Sequence, residues 1–143
     1  MRAMRVLLAI ITAGWGLSNL FPLIGTIGIK LDWFPLPPDL PANFRVLAAQ
    51  IPWWGLAVWV VMVVLYLVVA RALLRDRPAF GLFVAALATE LVRWVPMSLL
   101  PAYSQTWSAG ELRFRYIAWA VLVLIGAIIW WVERRRSLPA QAV

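Results

Sequence analysis

Four apolar stretches dominate this chain, each with the roughly 17 to 25 residues that a helix needs to cross a hydrocarbon core of about 30 Å. They run from about Val6 to Ile29, Pro52 to Leu74, Ala79 to Pro101 and Phe114 to Val132. The chain therefore reads as an all-α membrane protein: one polytopic domain over residues 1–143, with four transmembrane helices in a small bundle. Composition agrees, since only 13% of residues are charged, where a soluble domain carries about a quarter. The ten tryptophans suit the headgroup boundary, where an indole satisfies its apolar body and its N–H together.

The first segment has a secretory-signal alternative, because Arg2 and Arg5 precede an apolar run that contains the small residue Ala13. The run continues well past Ala13 without an A-x-A pattern, which favours a span that is retained. Between the first and second segments, residues 30–51 hold four prolines from Pro35 to Pro41, through which no continuous helix passes. Asp39 and Pro41 resemble a helix start, and Phe44, Val46, Leu47 and Ile51 are spaced for a short helix on the membrane surface. An ordered extracytoplasmic loop packed by Trp33 and Phe34 fits the same residues.

The net charge of +7 would suggest a nucleic-acid partner in a soluble protein, but here the basic residues gather at segment ends. Arg2, Arg5, Arg71, Arg75, Arg77, Arg134, Arg135 and Arg136 fall on one side, against Lys30, Arg45, Arg113 and Arg115 on the other. That bias places both termini in the cytoplasm of a bacterial inner-membrane protein. Arg71, Arg75, Arg77, Arg134, Arg135 and Arg136 are the expected lipid headgroup anchors, and membrane lipids rather than nucleic acid are the expected partners.

Histidine and cysteine are absent, which removes thiolate nucleophiles, disulfides, iron–sulfur clusters, ordinary zinc sites and imidazole ligands to a haem. GWGLS at residues 14–18 is neither a nucleophile elbow nor a P-loop, and the six carboxylates are scattered. No catalytic residue, metal or cofactor is expected.

One carboxylate stands where an ion is most expensive. Glu90 lies at the midpoint of the third segment, at a cost of about 2.5 to 3.5 kcal/mol on insertion scales. Arg93 follows at i+3 on the same face, together with Leu82, Ala85, Ala86, Thr89 and Met97. The first segment offers a stripe of Gly14, Ser18, Pro22 and Gly25 for close helix approach, with Asn19 beside it. Pro22 and Pro96 are expected kinks, and Pro22 leaves the Ser18 carbonyl without its helical donor, a gap Arg93 is placed to fill. The first and third segments are thus expected to face each other across a buried layer of Ser18, Asn19, Glu90 and Arg93. That layer either orients the helices, or takes up a proton or ligand in a hydrated cavity, or meets a partner's charge.

The second segment, AVWVVMVVLYLVVA, is aliphatic all round and suits lipid or a large apolar interface. With few catalytic side chains, the leading expectation is a non-catalytic accessory or structural subunit beside a larger membrane complex. The competing one is a small oligomeric transporter or membrane ligand-binding protein built on the Glu90 layer.

The order AGWGLSNLFPLIG, a Pro-containing outer loop, LLRDRPAF and a closing IIWWVERRRS resembles the small bacterial four-helix membrane proteins grouped as domain-of-unknown-function family 2569. The Pro-Tyr pair and the closing Lys-Arg-Val tail associated with that family are missing. The resemblance implies the architecture and carries no chemistry with it.

Overall fold

The computed structural model describes residues 2–137; the side chain of Arg136, one of the expected headgroup anchors, lies outside the described residues. The described elements are six helices: α1 (Arg2–Lys30), α2 (Phe44–Gln50), α3 (Trp53–Leu74), α4 (Phe80–Ser98), α5 (Pro101–Thr106) and α6 (Ala109–Ser137). Of these, α1, α3, α4 and α6 are long and apolar enough to cross a membrane. Even the shortest, α4 with 19 residues, extends about 28 Å at 1.5 Å per residue, close to the thickness of a hydrocarbon core.

The long helices start and stop where local chemistry dictates. Both α1 and α3 end in six-residue caps: Trp33 N donates to Gly28 O and Arg77 N to Ala72 O, with Asp32 and Asp76 in the left-handed region at φ 54° and 58°. Aspartate tolerates that conformation better than most side chains do. The third apolar segment ends earlier than its hydropathy suggests, at Ser98 rather than Pro101. Pro96 already lacks an N–H within the last turn, and Pro101 starts α5 after an extended Leu100. The fourth segment starts earlier, at Ala109 rather than Phe114, because Ser108 and Glu111 form a reciprocal cap. Ser108 N donates to Glu111 Oε2 at 2.7 Å and Glu111 N to Ser108 Oγ at 3.3 Å.

Helix α3 is the centre of the bundle. Half of its apolar window is buried, against 17% for α4, so its all-round aliphatic character answers to a protein interface more than to lipid. Met62, Tyr66 and Val69 are fully buried there. Helices α1 and α4 each pack on α3 and make no close backbone approach to one another, so they do not form the direct interface the sequence suggests. The small-residue stripe is displaced as well. A Cβ on Gly14 or Gly25 would meet nothing within 4 Å, whereas one on Gly16 would lie 3.1 Å from the Tyr66 Cβ. The close approach of α1 is therefore made to α3 through Gly16, roughly 160° round the helix from the expected stripe and close to its opposite face. On α4 the buried positions are Phe83, Ala86, Glu90 and Arg93, while Ala85 faces outward.

The end of the bundle that carries both helix termini is tied by two long-range contacts. Arg5, almost wholly buried, donates to Leu73 O at 3.2 Å and Arg77 O at 2.6 Å, and reaches Asp76 at 3.2 Å, so it caps α3 rather than facing headgroups. Glu133 accepts from the Ala79 and Phe80 amides at 2.5 and 3.2 Å, supplying from α6 the cap that α4 lacks locally. Phe83 fills the space above Gly126 of α6, where a Cβ would sit 3.0 Å from the ring.

The opposite end is closed by short helices. The segment after Pro41 is helical from Phe44, with Phe44, Leu47 and Ala48 turned inward. Lys30 holds it, its Nζ donating to the carbonyls of Ala48, Ala49 and Ile51 at 3.2, 2.8 and 2.8 Å. Phe34 covers Gly28, while Trp33 remains mostly exposed. Of the expected anchors, Arg71, Arg75, Arg77, Arg134 and Arg135 are exposed, and Arg134 and Arg135 stand over Trp130 and Trp131 at 5.0 and 4.1 Å. Around the waist, Ile10, Val64, Val92 and Leu124 expose broad apolar surface.

Candidate functional site

At mid-height the three packed helices meet on one carboxylate. Tyr66 of α3 donates its hydroxyl to Glu90 Oε2 at 2.6 Å, and Trp15 of α1 donates Nε1 to the same oxygen at 3.3 Å. The other oxygen, Oε1, lies 3.9 Å from Arg93 Nη2, an ion pair too long to be a hydrogen bond. Glu90 is thereby held by donors from α1 and α3, which offset the cost of its burial.

Arg93 is placed differently. It is only 9% exposed, its guanidinium stacks on Trp59 of α3 at 4.5 Å, and none of its N–H groups makes a hydrogen bond among the described residues. Weak hydration makes a guanidinium tolerant of an aromatic face, but its five donors still need acceptors. Three buried side-chain polar atoms lack a partner among the described residues: Arg93 Nε, Trp59 Nε1 and Trp107 Nε1. All three are donors. All three residues border the same cavity.

That cavity, of about 840 Å³, occupies the half of the bundle away from the helix termini. It lies where α6, buried at Leu122, Ile125 and Ile129, becomes half-buried or exposed toward the end closed by α2 and α5. The α1 wall is shallow, with Asn19, Pro22, Gly25 and Thr26 at helical spacing. The α6 wall carries Phe114, Arg115, Ala118 and Trp119, and Phe44 and Leu47 of α2 form a roof. At its inner limit Trp94 donates Nε1 to the Tyr103 hydroxyl at 3.1 Å and sits edge-on to Tyr116 at 5.8 Å. Arg115 is the second cation bordering the cavity, over Trp107 at 4.7 Å and Tyr103 at 5.4 Å, with no carboxylate within 4 Å among the described residues. Phe21 and Phe114 border the cavity and are 78% and 67% exposed, so it opens sideways between α1 and α6. Asp39 and Glu111, also exposed, mark its outer rim. Arg93 and Trp59 additionally border a smaller cavity of about 200 Å³ under Pro52 and Trp54.

The structure brings Glu90 and Arg93 together and leaves Ser18 apart. Ser18 is exposed, its hydroxyl donating to the Trp15 carbonyl of its own helix at 2.8 Å. Asn19 lines the cavity, but its amide also returns to Trp15 O, at 2.9 Å. Arg93 makes no hydrogen bond to the Ser18 carbonyl; it lies against Trp59 instead. Past Pro22, Thr26 takes up the local backbone by donating to the Pro22 carbonyl at 2.7 Å. Tyr66 and Trp15 were not singled out from the sequence, although Tyr66 is the one hydroxyl in a run of aliphatic residues, which is itself a signal. Among the described residues no three His, Cys, Asp or Glu side chains gather as a metal ion would require.

Comparison with protein-family models, with curated proteins and with solved structures finds no match to this chain.

Proposed function

We propose that this is a non-catalytic, multi-pass protein of the bacterial inner membrane, with both termini cytoplasmic, that binds a ligand in the cavity between α1, α4 and α6. The exposed apolar waist and the arginine bias of the terminus-bearing end support the membrane placement. One observation carries the ligand reading: the buried Arg93 guanidinium borders an 840 Å³ cavity and has no hydrogen-bond acceptor among the described residues. A volume of that size lies within the range of small-molecule sites, about 300 to 1,000 Å³, with apolar walls and a few placed polar groups. A purely orienting ion pair would instead be closed by short hydrogen bonds, because an unpaired buried charge costs several kcal/mol for no structural gain (about 3 to 5 kcal/mol when a partner is missing).

Replacement of Arg93 separates the two roles. Arg93→Met keeps the stem and removes the unsatisfied donors, while Glu90 keeps Tyr66 and Trp15. Under the ligand reading the ligand-free protein loses less than the roughly 3 to 5 kcal/mol that breaking a closed buried ion pair costs, because the contact to Glu90 is long and Glu90 keeps its two donors. A loss of about 3 kcal/mol or more in lipid nanodiscs would return Arg93 to a structural role. An accessory-subunit reading has one observation in its favour: the first half of α6 exposes Phe114, Tyr116 and Ile117, a face that another membrane helix would cover. A stoichiometric partner retained in mild detergent, and lost on Ile117→Lys, would support it.

A further inference from the structure

We infer that the ligand is an acidic amphiphile, an apolar chain carrying a single carboxylate or phosphate head, and that it reaches the cavity sideways between α1 and α6. The inference rests on the ligand-binding reading above and assigns its chemistry. The orphaned groups bordering the cavity are donors only: the Arg93 guanidinium and the indole N–H groups of Trp59 and Trp107. A ligand that satisfies them must bring acceptors, and the planar fork of a guanidinium fits two oxygens of one carboxylate or phosphate. A second guanidinium, Arg115 of α6, also borders the cavity, over Trp107 and Tyr103, with no carboxylate within 4 Å among the described residues. Two like charges bordering one cavity repel each other, and an anion between them would relieve that repulsion.

Nearby carboxylates fill that role only in part. Glu90 stands 3.9 Å from Arg93 and is engaged with Tyr66 and Trp15, while Asp39 and Glu111 stand at the exposed rim, where Glu111, one turn from Arg115, caps α6. Rim acids would repel a small water-borne anion arriving from the end of the bundle. The side opening has the reverse character. It is bounded by Phe21 and Phe114, two of the most exposed apolar side chains in the protein, on faces that a bilayer would cover. An acid already dissolved in the lipid passes between them with its chain trailing, and its head meets Arg93 without crossing the rim. Pro22, Gly25, Ala118 and Leu122 add apolar surface, and the polar side chains beside them, Asn19, Thr26 and Trp94, already donate within the protein, so the wall suits a chain better than a polar body.

Photolabelling tests this in phosphatidylcholine nanodiscs with three diazirine probes: a C16 fatty acid, its methyl ester and a C16 alkyl phosphate. Saturable labelling of the Asn19–Ile29 and Phe114–Leu122 segments by the acid, the phosphate or both, with only non-saturable labelling by the ester, is the expected result. Acid alone identifies a carboxylate head, and phosphate alone a phosphate head. Arg93→Gln should weaken the saturable labelling by about 10- to 100-fold, the range for one charged hydrogen bond, with a smaller effect for Arg115→Gln. Gly25→Leu, which adds a side chain where nothing lies within 4 Å of the Cβ, should abolish it without unfolding the bundle. Equal saturable labelling by acid and ester, unchanged in Arg93→Gln, overturns the acidic head yet leaves the cavity as a ligand site. Absence of saturable labelling by all three probes, with Gly25→Leu indistinguishable from wild type, overturns both readings.

Discussion

Tyr66→Phe isolates the strongest polar contact in the bundle. The ring is fully buried and packs edge-on to Phe83 at 6.0 Å, so removing the hydroxyl leaves the packing intact and creates no cavity. What is lost is one O–H donor, 2.6 Å from Glu90 Oε2. In water-soluble proteins a hydrogen bond to a charged group contributes about 1.5 to 3 kcal/mol, but helix-to-helix bonds in membranes average about 0.6 and reach about 1.7. The membrane values are lower because an unfolded chain in lipid also finds partners. A short contact to a carboxylate belongs at the upper end, so the expected loss is about 1 to 2 kcal/mol. Unfolding by SDS in mixed micelles measures it, with Glu90→Leu and the double variant completing a cycle. The cycle should show a coupling of similar size, since Tyr66→Phe in the Glu90→Leu background only removes a donor that has already lost its acceptor. A loss below about 0.3 kcal/mol with no coupling would refute the view that Glu90 ties α3 to α4.

Other contacts make equally definite claims. Gly16→Leu should destabilise by about 1 to 3 kcal/mol, because its Cβ would press on Tyr66 Cβ at 3.1 Å and Val63 O at 3.4 Å, whereas Gly14→Leu should leave the unfolding midpoint unchanged. Glu133→Ala removes the acceptor for the Ala79 and Phe80 amides and should cost about 1 kcal/mol, with Glu133→Gln recovering part of it in the same assay. Arg5→Met strips the donors from Leu73 O and Arg77 O and should cost about 1.5 to 3 kcal/mol, partly restored by Arg5→Lys.

The long apolar segments and the odd position of Glu90 were legible because both are local: hydropathy sets a span, and a carboxylate at mid-span stands out in one dimension. Helix ends were less so. Hydropathy ran α4 on to Pro101 and began α6 at Phe114, although Pro96 and the Ser108-Ala-Gly-Glu111 box carried the true ends in plain residues. Packing partners were least legible. The Gly14, Ser18, Pro22, Gly25 stripe is periodic enough to suggest an interface, yet Gly16, which has no such pattern, makes the close approach. The packed face of α1, with Leu8, Thr12, Gly16 and Leu23, lies nearly opposite that stripe, and which face meets a neighbour depends on the whole bundle. Arg5 shows the same limit from the charge side. Its position at a segment end reads as a headgroup contact, but the turn after α3 comes close enough to bury it. The cavity itself is bordered by side chains of α1, α2, α4 and α6 together, which no single segment encodes.

Native mass spectrometry tests most directly whether the cavity is a ligand site, with wild type, Gly25→Leu and Gly14→Leu taken from their own membranes in mild detergent. Wild type and Gly14→Leu should each carry a non-covalent adduct of a few hundred daltons above the 16.1 kDa chain, about the mass that a site of this volume accepts, and Gly25→Leu should not. The same adduct pattern in all three proteins, or the bare chain mass in wild type, would contradict ligand binding in the cavity beside Arg93.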